Sequence, residues 1–137
     1  MKLRSRFILI TGLSVIVVLA AVAYFALRIP YDQVVIVRMA KFGEAIPDSE
    51  RVIHDQASVQ AFTYAVRYAD KQPGQVDIAD PNYRFTLGKK DYYLWVSEQY
   101  RTGTLMKLPD SGTIYRIGES RARELLKIIQ QAMGGAE

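Results

Sequence analysis

Between Phe7 and Leu27 the chain reads FILITGLSVIVVLAAVAYFAL, a run without one charged residue. No other feature restricts the fold as strongly. A helix rises about 1.5 Å per residue, so about 20 such residues cross the roughly 30 Å hydrocarbon core of a bilayer. The run is apolar on every side, whereas a helix on a soluble domain keeps a polar face. Lys2, Arg4 and Arg6 precede it, and Arg28 alone follows directly. That bias puts the amino terminus in the cytoplasm and the remainder outside. The expected organisation is a cytoplasmic basic segment over 1–6, a transmembrane signal-anchor over 7–27, a linker over 28–32, an extracytoplasmic domain over 33–133 and a tail over 134–137. One alternative stays open. Ala21-Val22-Ala23 fits the A-x-A pattern of signal peptidase, and cleavage after Ala23 would leave a secreted form.

The flanks of this run also carry most of the excess charge. The formal net charge is +4, but three of the 18 Lys and Arg residues precede the run and all 14 acidic residues follow it. The stretch from Arg28 onward, which holds the domain, is left with 15 basic against 14 acidic side chains. It has no basic stripe to exchange counterions with phosphates, so nucleic acid is not an expected partner. The absence of cysteine excludes disulfides, thiolate zinc sites, a cysteine nucleophile and a lipidated signal-peptide cysteine. An exported domain of this kind stands on its apolar core.

Pro30 stops the first helix, and Gln33–Met39 (QVVIVRM) is a β-branched run, apolar on both faces, that predicts an interior strand. The stretch 41–50, with Gly43 and Pro47, reads as a loop, and Arg51-Val52-Ile53 as a short extended piece. Asp55 is the expected N-cap of a helix over 56–70, with Val59, Phe62, Val66 and Ala69 on one stripe. Pro73-Gly74 and Asp80-Pro81 mark the stretch 71–82 as irregular. Strands are expected over 83–87, 92–97, 103–108 and 113–117. Pro109-Asp110-Ser111-Gly112 reads as a four-residue hairpin turn, a register that sets Met106 opposite Tyr115 and Leu105 opposite Arg116. A last helix runs from Ser120, its expected N-cap, to about Met133, with Ala122, Leu125, Leu126, Ile129 and Met133 as its stripe. The fold class is therefore α+β: a transmembrane helix, then a two-layer domain with an antiparallel sheet of about four to five strands and two helices on one face.

Five stretches carry a resemblance. They are the helix beginning at Asp55, Asp80-Pro81-Asn82-Tyr83 leading into a strand, Tyr93-Leu94-Trp95-Val96, Gly103-Thr104-Leu105-Met106, and Thr113-Ile114-Tyr115 before the leucine-rich final helix. Together they resemble the YhfM-like domain family of Bacillus-type bacteria over about residues 33–130. The resemblance implies an extracytoplasmic domain held at the membrane, in many members through a lipid. This chain has no cysteine for a lipid, and a protein anchor serves the same end. The resemblance implies no specific chemistry and carries over no functional residue.

The residues themselves offer little chemistry. His54 is the only histidine. With Asp55 beside it and Ser58 one turn on, it invites a general-base reading, while helix capping by Asp55 is the plainer one. Asp77, Asp80 and Asn82 hold oxygens suited to calcium but not the EF-hand spacing. Thr86-Leu87-Gly88-Lys89-Lys90 lacks the upstream glycine of a phosphate loop and joins two strands. No Ser-x-x-Lys spacing occurs. Glu98 and Asp110 are the carboxylates best placed for a glycosidase pair, a choice sequence alone cannot support. No metal or cofactor is expected.

The aromatic residues carry the candidate site. Tyr83 and Phe85, Tyr93 and Trp95, and Tyr115 recur at period two on successive strands. They pack under the helices, or, if Tyr92, Leu94 and Val96 face the helices, Tyr93 and Trp95 point the other way. A row of Tyr and Trp beside Arg84 or Arg116 is then a recognition surface. Tyr93, Trp95, Tyr115 and Arg84 are the candidate binding residues. The expected function is a non-enzymatic, membrane-tethered module that binds a protein, peptide or envelope ligand. The alternatives are a cell-envelope hydrolase using His54 or paired carboxylates, and a regulator acting through a membrane partner.

Overall fold

The structure, a computed structural model, describes residues 2–73 and 78–134, the side chains of 2, 3, 26 and 27 excepted. Its contacts divide the chain into two units, residues 1–30 and 31–137. The first is a single helix, α1 (Lys2–Leu27). Its stretch from Arg4 to Phe25 is long and apolar enough to cross a membrane, a property that a retained anchor and a signal sequence share. Thr11 donates its hydroxyl back to the carbonyl oxygen of Phe7 at 2.8 Å. That leaves the one described threonine of the run satisfied without water.

The second unit is built on one antiparallel sheet. β1 (Val34–Lys41) lies inside it, as its two-sided apolar pattern predicts. On one flank β1 pairs with β3 (Arg51–Ile53) and, further along, with β2 (Glu44–Ala45). On the other flank come β5 (Tyr83–Leu87), β6 (Lys90–Trp95), β7 (Gly103–Lys107), β8 (Tyr115–Ile117) and finally β4 (Asp70–Lys71). Both outer edges are thus made of strands only two or three residues long. Between β2 and β3, buried Ser49 takes the place of a strand. Its Oγ accepts from Arg38 N at 3.0 Å and donates to Ile46 O at 2.6 Å.

Two helices cover one face. α2 (Gln56–Arg67) is capped by Asp55, whose carboxylate accepts from Ser58 N at 3.0 Å. It carries the chain from β3 at one edge to β4 at the other. α3 (Glu119–Met133) returns alongside it and reaches β3. The strand residues beneath them alternate as a half-covered sheet requires. Val34, Ile36, Phe85, Leu87, Tyr92, Leu94, Leu105 and Ile117 are all buried and share the helix face by register. The Phe62 ring of α2 meets Phe85 edge-on at 5.0 Å, and Phe85 stacks on Tyr92 at 5.0 Å. Burial raises the Tyr92 phenol above its usual value, with Tyr31 adding to the effect.

The architecture is α+β, with corrections in detail. Among the described residues the sheet has eight strands, not four or five: the short extended piece at 51–53 joins it as β3, and β2 and β4 are two-residue pairings inside stretches that read as loop and helix end. The first domain helix stops at Arg67, short of Asp70, which pairs with Arg116 in the sheet instead. Gly118, not Ser120, stands at the N-cap of α3. The turn over 109–112 does not join two strands directly. β7 ends at Lys107 and β8 begins at Tyr115. Leu105 consequently opposes Tyr115, and Thr104 opposes Arg116, one residue away from the expected register. The physical reason is burial: the expected register would put Leu105 and Ile117 on opposite faces, whereas this one puts both on the helix face, where both are buried.

Candidate functional site

A shift of one residue moves every side chain of a strand to the opposite face, and here it takes Tyr115 away from Tyr93 and Trp95, while the β5–β6 pairing sets Tyr83 and Phe85 apart from them. Tyr83, Phe85 and Tyr115 belong to the helix face. Tyr115 is half-buried there, and the Lys107 ammonium sits 4.3 Å from its ring centre. Tyr92, Leu94 and Val96 also point to the helices, so Tyr93 and Trp95 occupy the outer face. Arg84 lies directly across from Tyr93 on that face. Three of the four expected binding residues are therefore together, and Tyr115 is not.

Phe42, from the turn between β1 and β2, completes the cluster. Its ring lies 5.5 Å from Tyr93 and 5.9 Å from Trp95, and Tyr93 and Trp95 meet edge-on at 6.3 Å. Backbone groups lock all three. Gly43 N donates to the Tyr93 hydroxyl at 3.0 Å, Phe42 N to Asp80 Oδ1 at 3.1 Å, and Trp95 Nε1 to the Ala79 carbonyl at 2.8 Å. Sequence reasoning missed Phe42 because it sits 51 and 53 positions from its ring partners' strands' residues Tyr93 and Trp95. Its only local signal was the Phe42-Gly43 turn after a β-branched run.

Beside Trp95 a cleft of about 490 Å³ opens between the segment 78–82 and the loop after β6. Trp95 and the strongly exposed Tyr100 supply its rings; Thr102 and Thr104 supply hydroxyls, and Asn82 and Gln99 amides. Asp80 is the one formally charged residue among the described residues that line it. Asn82 Oδ1 accepts from Val96 N at 3.0 Å, which fixes the cleft wall to β6. A smaller hollow of about 240 Å³ lies on the other side of the same loop, against Ala122, Arg123 and Leu126 of α3. Ser97 lines both, and its buried Oγ makes no hydrogen bond among the described residues.

The remaining candidates have structural employment. His54 is exposed. Asp55 Oδ2 accepts from the Ser58 hydroxyl at 2.6 Å as well as from Ser58 N, which holds its carboxyl below the ordinary range. The imidazole does not stand between them, as a triad needs. Glu98 accepts from Gln130 Nε2 at 2.9 Å, and Asp110 closes its own turn by accepting from Gly112 N at 3.0 Å. Asp80 and Asn82 each hold a backbone N–H, and Asp77 lies outside the described residues. Gly88 and Lys89 form the two-residue turn of the β5–β6 hairpin.

Neither the curated proteins nor the solved structures give a match to this chain. The family model described as YhfM protein matches residues 35–133, from the second residue of β1 to the end of α3. That match takes in the whole sheet but one residue, both covering helices and the aromatic cleft, and the chain belongs to the YhfM family.

Proposed function

We propose that the chain is a single-pass membrane protein whose carboxy-terminal domain lies outside the cytoplasm and binds a ligand there without catalysing a reaction. The single observation that carries the binding role is the outer-face cleft at Trp95. It is large enough for a small ligand, and its Trp95 ring is held before any ligand arrives by the Ala79 carbonyl and by contacts with Phe42 and Tyr93 behind it. The orientation rests on Lys2, Arg4 and Arg6 before the apolar run. The non-catalytic reading rests on the engagement of Asp55, Ser58, Glu98 and Asp110 in caps and turns.

Three measurements test it. Protease added to intact cells should digest the domain and leave α1 protected; full protection of the domain overturns the orientation. The amino terminus of the membrane-bound chain should be intact, and a mature start after Ala23 would replace the anchored form with a secreted one. For the binding role, photocrosslinking in the native envelope should label a ligand from a position in the cleft, with the yield falling severalfold in Trp95→Ala. Equal labelling by both removes the cleft from the function.

A further inference from the structure

The chemistry of the cleft, taken with the reading of it as a binding site, narrows the ligand. Among the described residues that line it none is Lys, Arg or His, and Asp80 alone is acidic. Phosphorylated and other anionic ligands would meet no counter-charge there. A peptide has no backbone to join either. β6 is paired on both sides by β5 and β7, and β7 by β6 and β8, so strand addition beside Trp95 is closed. What remains is recognition by side chains. The side chains of Gln99, Thr102 and Thr104 make no hydrogen bond among the described residues, and so present donors and acceptors with two-way capacity. They stand around an indole whose polar N–H is already occupied by Ala79.

We infer that the cleft takes an uncharged oligosaccharide, with a sugar ring against Trp95 and its hydroxyls on Gln99, Thr102 and Thr104. A sugar has one face of weakly positive C–H groups and an equatorial belt of hydroxyls. The first complements the negative face of an aromatic ring, and the second needs neutral groups able both to donate and to accept. The Phe42 and Tyr93 contacts keep the platform ring in place, so little ordering is left for binding to impose.

Trp95 is the only tryptophan of the chain, and its emission reports on the cleft directly. The full chain, held in a polyoxyethylene detergent that carries no sugar, is titrated with tetramers of N-acetylglucosamine, glucose, mannose and galactose. An uncharged alanine–serine peptide and polyphosphate serve as comparisons. At least one tetramer should change the emission saturably, and Gln99→Ala combined with Thr104→Val should weaken that response about tenfold. Circular dichroism of the double variant should match the wild type. No saturable change with any tetramer, or an equal response from the double variant, overturns the saccharide assignment. A response to the peptide or to polyphosphate alone overturns it too, yet leaves the binding role of the cleft standing, since crosslinking decides that separately.

Discussion

The indole Nε1 of Trp95 donates to the carbonyl oxygen of Ala79 at 2.8 Å, pinning the end of β6 to the segment that leads into β5. Trp95→Phe keeps an aromatic ring against Phe42 and removes this one bond. It should cost about 1 kcal/mol, the usual net worth of a neutral hydrogen bond whose acceptor can turn to water. Trp95→Ala also removes the ring contacts with Phe42 and Tyr93 and should cost more. Urea unfolding of the full chain in detergent, followed by far-ultraviolet circular dichroism, measures both.

Asp55 caps α2 through Ser58. Asp55→Ala should destabilise the domain by about 1 kcal/mol, while Asp55→Asn, an equally good cap, should cost much less. The two also separate capping from charge. The folded-state pKa of Asp55 lies below its ordinary value of 3.8, because Ser58 donates to the carboxylate. Its contribution is therefore complete above the ordinary value and is lost as pH falls through the lowered one. On acidification from about pH 7 to about pH 2, the wild type should lose more stability than Asp55→Asn. Parallel curves for the two proteins would show that the charge contributes nothing.

The β5–β6 hairpin turns on Gly88, whose φ of 61° is one an L side chain rarely adopts. A Cβ there would also stand 2.8 Å from Tyr31 Cε1. Gly88→Ala should cost about 1–2 kcal/mol from the backbone alone. The Tyr31 ring can swing away, so the steric part is the smaller one. Adding Tyr31→Ala should return that part only, and thermal unfolding of the single and double variants divides the two terms.

Phe62 is fully buried between α2 and the sheet and meets Phe85 edge-on. Phe62→Ala leaves a cavity at the centre of the core and should cost about 3–5 kcal/mol. Phe62→Leu should cost clearly less, because it refills most of the volume. Tyr115→Ala, on a half-buried ring beneath Lys107, should fall well short of the Phe62→Ala loss in the same assay.

How much of this was legible in the sequence depended on how local its cause was. The β-branched run of β1, the Asp55 cap and the stripe of α3 are patterns within one element, and each was readable. The pairing of Asp70 with Arg116 was not, because nothing near Asp70 announces a partner 46 residues away. The position of Tyr115 failed for a related reason. Turn chemistry at 109–112 suggested one register, and the shared burial of Leu105 and Ile117 imposes another. At the cleft, the alternation of Tyr92, Leu94 and Val96 offered the outer face as one of two places for Trp95, and the Phe42 and Ala79 contacts that hold its ring depend on the closed fold.

The shortness of the outer strands has a consequence for how copies of the domain behave beside one another. A sheet edge with unpaired N–H and C=O groups is a template on which another chain can add a strand, and a long flat edge invites fusion of neighbours. Here one edge ends in the two residues of β4, and the other is broken at Ser49 between β2 and β3. Neither offers a run long enough to seed a shared sheet. Growth of a shared sheet through these two edges is therefore disfavoured, even where copies are brought to high local concentration.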